Sequence, residues 1–166
     1  LVESPILTAL GLGVSISEST PCFIIDIGGG STNIAAVSLD GVIAGVNVNM
    51  GGRNIDAMIM KHIEEYFNLK IGTLTAESVK IRIGSLFEND GTRLVVSGRD
   101  LTSGKPRSIS VCSQDVIFPI KAFYDKLFEV VDIVLGKLPA EVSAEVRRSG
   151  VYFSGGSSKI PGLDVY

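Results

Sequence analysis

The sequence predicts an α/β fold, and three observations predict it. An apolar run, Cys22–Ile27, meets three consecutive glycines and is followed by two further strand-like segments, with a two-residue turn signal at Asp40 and Gly41. Two longer segments, around residues 55–67 and 120–138, repeat apolar residues at helical spacing. A second short apolar run at Val151 ends in another glycine pair, Gly155 and Gly156. The bulk properties fit this class. At 166 residues the chain is long enough for a real core, and 45% hydrophobic with 20% charged residues is ordinary globular composition. The net charge of −3, with no basic block, weighs against a nucleic-acid partner. No apolar run approaches the roughly 18 residues of a membrane span, and none has the pattern of a signal peptide. The chain opens on Leu1 directly in a helical pattern, which points to a piece of a longer protein.

In chain order, residues 2–10 predict a short helix with Pro5 in its first turn, ended by Gly11 and Gly13. Residues 15–21 are a polar loop. Cys22–Ile27 is a strand, apolar on successive positions and therefore expected to be buried on both faces. Residues 33–39 and 42–49 complete a meander, the last alternating at Val42, Ala44, Val46 and Val48. Asn54 is a suitable N-cap for a helix whose apolar face is Ile55, Met58, Ile59, Ile63, Tyr66 and Phe67. His62 on that helix, with no second histidine in the chain, is read as a surface or half-buried side chain rather than a metal ligand. Residues 75–87 fit either a strand or a helix. Helix is chosen, capped by Thr75, with Glu77 and Lys80 on one side as an intrahelical pair. Residues 92–97 and 107–112 predict a hairpin. Ser113 can cap a long helix to about Lys137, perturbed early by Pro119, with Ile120, Phe123, Leu127, Val131, Val134 and Leu138 as its stripe. Pro139 opens a shorter helix that Gly150 closes. Cys22 and Cys112 both sit in apolar strand-like runs and are expected as buried free thiols in a reduced cytoplasm.

The chemistry concentrates at the two glycine turns. Gly28, Gly29 and Gly30 let the backbone approach a ligand and aim several N–H groups at one point, and Ser31 and Thr32 add hydroxyls. That suits a phosphate. Asp26, where the strand meets the turn, suits a hydrated magnesium ion. The alternative from these residues alone is a plain hairpin with a glycine-rich turn. Gly155, Gly156, Ser157 and Ser158 repeat the pattern after a second strand expected to be buried, and in open α/β sheets ligands gather beyond the carboxyl ends of strands.

These residues carry a resemblance. DIGGGSTNIAAV resembles the second phosphate hairpin of the actin and heat-shock-chaperone ATPase superfamily, MGGRNIDAMI the turn and helix that follow it, and SGGSSKIPGL the adenine-side loop. TAESVKIRIGS and VSGRDLTSGKPRSISV are similar to the MreB branch, the bacterial actin homologues. The resemblance implies a ribonuclease-H-like lobe, the second of two, with a core at residues 1–52 and 119–166 and a small inserted α+β subdomain at residues 53–118. The first lobe and the last strand and helix of the family would lie outside this chain. By position, Gly28, Gly29, Gly30 and Ser31 would meet the β- and γ-phosphates of ATP, and Asp26 would hold Mg2+ through water. Glu77 and Lys80 would line the ribose and adenine, and Gly155, Gly156, Ser157 and Ser158 the adenine and sugar. The family usually carries Glu where this chain has Asn33, an acid thought to activate the attacking water. An amide is no general base, though it can orient water. Arg82 likewise replaces a common acid.

The function implied is that of a filament-forming cytoskeletal ATPase of bacterial cell shape. ATP hydrolysis is expected of the intact two-lobed protein and not of this lobe alone. The implied partners are further copies of itself, its own first lobe, and the inner membrane and cell-wall machinery, at the cytoplasmic face of the membrane. The alternatives are a chaperone-type ATPase and a non-hydrolysing nucleotide-binding scaffold of the same fold, the last suggested by Asn33.

Overall fold

The computed structural model describes residues 4–13, 21–38, 41–87 and 91–166. Most of the polar loop at 15–21 and Asp40 of the turn signal lie outside them. The chain divides into two units, Leu1–Gly52 with Lys126–Ser158, and Arg53–Asp125 with Lys159–Tyr166.

The first unit is built on a sheet of β1 (Cys22–Ile27), β2 (Thr32–Ser38), β3 (Gly41–Val48) and β7 (Val151–Ser154), in the order β3-β2-β1-β7. The first three strands form an antiparallel meander, and β7 lies parallel to β1. β1 is central, and Cys22, Phe23, Ile24, Ile25 and Ile27 are all buried, as its unbroken apolar run requires. Burying each of the larger side chains contributes about 1.5–3 kcal/mol. Alternation sends Phe23, Ile25 and Ile27 to one face and Cys22, Ile24 and Asp26 to the other. On the latter face Cys22, Ile24, Ala35 and Val37 close around Ala9 of α1 (Ser4–Gly11), with Ile6, Val42 and Tyr152 at the margin. Burial pushes the Cys22 thiol above its ordinary range. The expectation that Val42, Ala44, Val46 and Val48 share one face fails. The β2–β3 register shifts between Ala36 and Val37, so Val42 joins the α1 face and the next three oppose Ala36, Ile34 and Thr32. β7 is half-exposed, not buried as expected, because it is an edge strand. α5 (Ala140–Ser149) lies between Pro139 and Gly150 as expected and packs near β1.

The second unit contains α2 (Gly52–Phe67), which begins in the first unit at Gly52, α3 (Thr73–Ile83), and a sheet of β4 (Leu69–Lys70), β5 (Arg93–Asp100) and β6 (Pro106–Cys112). The division between units falls inside α4 (Ser113–Leu135). Residues 75–87 do contain a helix, with Ala76, Val79 and Ile83 buried along it. Three expected caps are displaced. Asn54 lies inside α2, which starts at Gly52. Thr75 lies inside α3, whose N-cap is Gly72. Ser113 is the first residue of α4, and Asp115 reaches back to accept from the Cys112 N–H at 2.8 Å, the carboxylate half of a capping box. Cys112 is therefore half-buried at a helix start, not a core thiol, and both cysteines are free. Ile55, Ile59 and Ile63 are buried on α2, but Tyr66 is 72% exposed and stacks on His62 with ring centroids 4.3 Å apart. The α4 stripe is buried from Ile120 to Val134, joined by Val116 and Tyr124, and Leu138 beyond it is half-buried.

Candidate functional site

The turn at residues 28–31 is closed by the Gly28 N–H donating to Ser31 O at 2.9 Å. It is then stapled to the turn ahead of α2. The Gly52 N–H donates to Gly28 O at 2.9 Å, and the buried Thr32 hydroxyl donates to Met50 O at 2.6 Å. The contact is close enough to require glycine at 51, where a Cβ would lie 2.7 Å from Gly28 O and 2.8 Å from Gly29 O. Both backbone polar groups of Gly28 are thus committed within the protein. Gly29 and Gly30 are exposed at the tip and Ser31 is half-exposed, which leaves them the reachable part of the turn.

A polar row crosses the sheet beside this turn. The register pairs Asp26 with Asn33 on one side and with Ser154 on the other, and pairs Asn33 with Asn47. These four side chains therefore share the α1 face. Asn47 Nδ2 donates to Asn33 Oδ1 at 2.6 Å, and Thr8 Oγ1 of α1 makes a long 3.5 Å contact to Asp26 Oδ2. The sequence singled out Asp26 and Asn33 but not Asn47 or Ser154, because only strand register brings them together.

The second glycine turn sits against the same end of β1. Gly155 has φ +88°, and a Cβ there would overlap the Ile27 carbonyl, so this backbone passes directly over the last residue of β1. Ser158 Oγ donates back to Gly155 O at 2.7 Å. Gly156 is exposed, and Ser157 and Ser158 are half-buried. Both turns and Asp26 are therefore gathered at the carboxyl end of one strand.

Glu77 and Lys80 belong to the second unit. Glu77 is exposed. Lys80 pairs with α2, where its Nζ lies 2.8 Å from Oδ1 of Asp56, with side chains only 13% and 4% exposed. Oδ1 receives no aligned hydrogen bond, so the pairing is ionic in character. Nothing in the local pattern marked Asp56, since α2 and α3 are separate elements.

Among the described residues no cluster of three or more His, Cys, Asp or Glu side chains is arranged to hold a metal. Beside the glycine turns the first unit offers the half-buried carboxylate of Asp26, which among the described residues has a long contact from Thr8. Magnesium commonly takes one or two carboxylates and completes its shell with water and phosphate oxygens, so a lone Asp26 beside exposed glycine N–H groups fits that mode and no closed metal cage.

A meander with a parallel fourth strand and two glycine turns over the end of its central strand defines an actin-type lobe. The archaeal actin homologue Ta0583 superposes with a TM-score of 0.62 over 95% of this chain at 17% identity, and covers 42% of that chain. The profile of MreB/Mbl proteins matches residues 1–166, and the chain belongs to that family. It is 32% identical over 99% of its length to the cell shape-determining proteins Mbl of Bacillus cereus and MreB of Escherichia coli. It spans about half the length of these relatives, 50% and 48%. MreB5 of Spiroplasma citri, solved with AMPPNP and with ADP, superposes with a TM-score of 0.92 at 31% identity over 95% of this chain and 48% of that one. The MamK double helical filament gives 0.74 at 25% identity, over 96% of this chain and 47% of that one. No helix among the described residues is long and apolar enough to cross a membrane.

Proposed function

We propose that this chain is the second lobe of a filament-forming, ATP-binding protein of bacterial cell shape. The observation that carries the reading is the convergence of both glycine turns and Asp26 on the end of β1. In this reading Gly29, Gly30 and Ser31 meet the β- and γ-phosphates, with Gly28 serving to shape the turn. Asp26 holds magnesium through water, and the ion offsets the phosphate charge. Gly156, Ser157 and Ser158 border the adenine and sugar. Glu77 and Lys80 line the ribose and adenine, with Lys80 held in place by Asp56. The nucleotide bound to MreB5 supports the ligand class, and the MamK filament supports self-association. Filaments at the cytoplasmic face of the inner membrane, working with the cell-wall machinery, complete the proposal.

An actin-type site needs both lobes, and Asn33 is no proton acceptor, so hydrolysis in the full-length protein is expected to be slow. The test is sedimentation of the full-length protein with and without magnesium-ATP, with electron microscopy of the pellet. Filaments that require nucleotide are expected. A protein that binds ATP yet stays soluble at every salt and lipid condition would transfer the reading to a chaperone-type ATPase or a scaffold.

A further inference from the structure

We propose that Asn47 is a positioning residue that fixes which end of the Asn33 amide faces the ligand, making Asn33 a donor to phosphate. This rests on the nucleotide reading above and deepens it. The Asn47 Nδ2 to Asn33 Oδ1 hydrogen bond, at 2.6 Å, commits the carbonyl end of Asn33 to the β3 side. The other neighbour in the row is Asp26, the register partner of Asn33 on β1. A donor on one side and a carboxylate on the other favour the same orientation of the amide, with oxygen toward β3 and nitrogen toward β1 and the glycine turn. Asn33 Nδ2 finds no acceptor among the described residues, so its N–H groups are available to an anion. Reversal would turn a carbonyl oxygen toward the phosphates and replace an attraction with a repulsion.

The same geometry bears on the reaction. An amide that orients an attacking water does so by accepting from it through its carbonyl oxygen. Here that oxygen already accepts from Asn47. In this orientation Asn33 presents its N–H groups to a phosphate while Asn47 takes one of the two lone pairs of its oxygen on the β3 side, and the property comes from the pair of asparagines together.

The test is a cycle in the full-length protein, with AMPPNP and ADP as the probes. Asn47→Asp keeps the shape but accepts instead of donating, which reverses the Asn33 amide. It is expected to weaken AMPPNP about tenfold or more, the scale of one hydrogen bond to a charged group. In an Asn33→Ala background the same change is expected to cost less than about twofold, since no amide remains to reverse. Asn47→Leu removes the donor without adding charge and is expected to cost a smaller factor, again only when Asn33 is present. Both variants alter an exposed side chain on an edge strand, and melting curves check that the fold survives. Equal losses with and without Asn33 would mean that position 47 acts by charge or by strand stability, and would overturn the inference. No loss from either variant would overturn it as well. If the unaltered protein bound neither AMPPNP nor ADP, the nucleotide reading itself would fall and this inference with it.

Discussion

Gly155 and Gly29 occupy similar sequence contexts and answer to different constraints. Gly155 combines a φ of +88° with a backbone seated on the Ile27 carbonyl, whereas a Cβ on Gly29 meets nothing within 4 Å. Gly155→Ala is therefore expected to lower stability by about 2 kcal/mol or more, and Gly29→Ala by less than about 1 kcal/mol. Urea denaturation of the two variants checks this, and equal costs would contradict the geometry. A methyl at position 29 should instead weaken nucleotide binding, since it stands on the reachable tip of the turn. The sequence marked both glycines as important and did not say that one is structural and the other open to a ligand. That distinction lies in what each residue passes near, and Gly155 passes near a strand distant in the chain. The same holds for Asn47 and Asn33, separated by 14 positions, and for Asp56 and Lys80 on different helices.

At the scale of elements, long periodic segments were legible and their ends were not. The α4 stripe follows from apolar spacing, which burial enforces along the whole element, whereas the shorter α3 segment fitted strand and helix spacing alike. Cap positions depend on single local hydrogen bonds, and three were displaced by one to three residues. The two-residue β4 was missed altogether, because Leu69 and Lys70 become a strand only by pairing with Asp100 and Arg99. Asp100 also organises the loop between β5 and β6. Its carboxylate accepts from the Ser103 N–H at 2.7 Å, the Ser103 hydroxyl at 2.9 Å and the Thr102 N–H at 3.0 Å, and lies 2.6 Å from Arg107. These hydrogen bonds, Ser103 foremost, hold its pKa below the ordinary aspartate value. A lowered pKa in the folded state stabilises the protein above the unfolded value, and that stabilisation is lost as pH falls toward the lowered one. Asp100→Asn is thus expected to reduce the urea midpoint at pH 7 and to draw level with the unaltered protein in acid. A gap independent of pH would show that the carboxylate charge contributes nothing.

At the scale of the whole molecule, the order of motifs carried the fold. A central apolar strand, a glycine hairpin, a long helix and a returning strand with a second glycine turn admit few arrangements once the sheet must bury β1 on both faces. The pieces of the site were legible for the same reason, since glycine turns after strands fall at one end of a parallel pair. The polar row was not, because it exists only in the register. The chain amounts to about half the length of its relatives, and the proposal that this half holds magnesium through Asp26 is open to direct test. The most direct measurement is calorimetric titration of AMPPNP into the full-length protein, with and without magnesium, beside an Asp26→Asn variant. Binding is expected to tighten about tenfold or more with magnesium, a gain of roughly 1.4 kcal/mol or more, and the variant is expected to lose that gain. Binding that magnesium strengthens equally in both proteins, or no binding at all, would contradict the proposal.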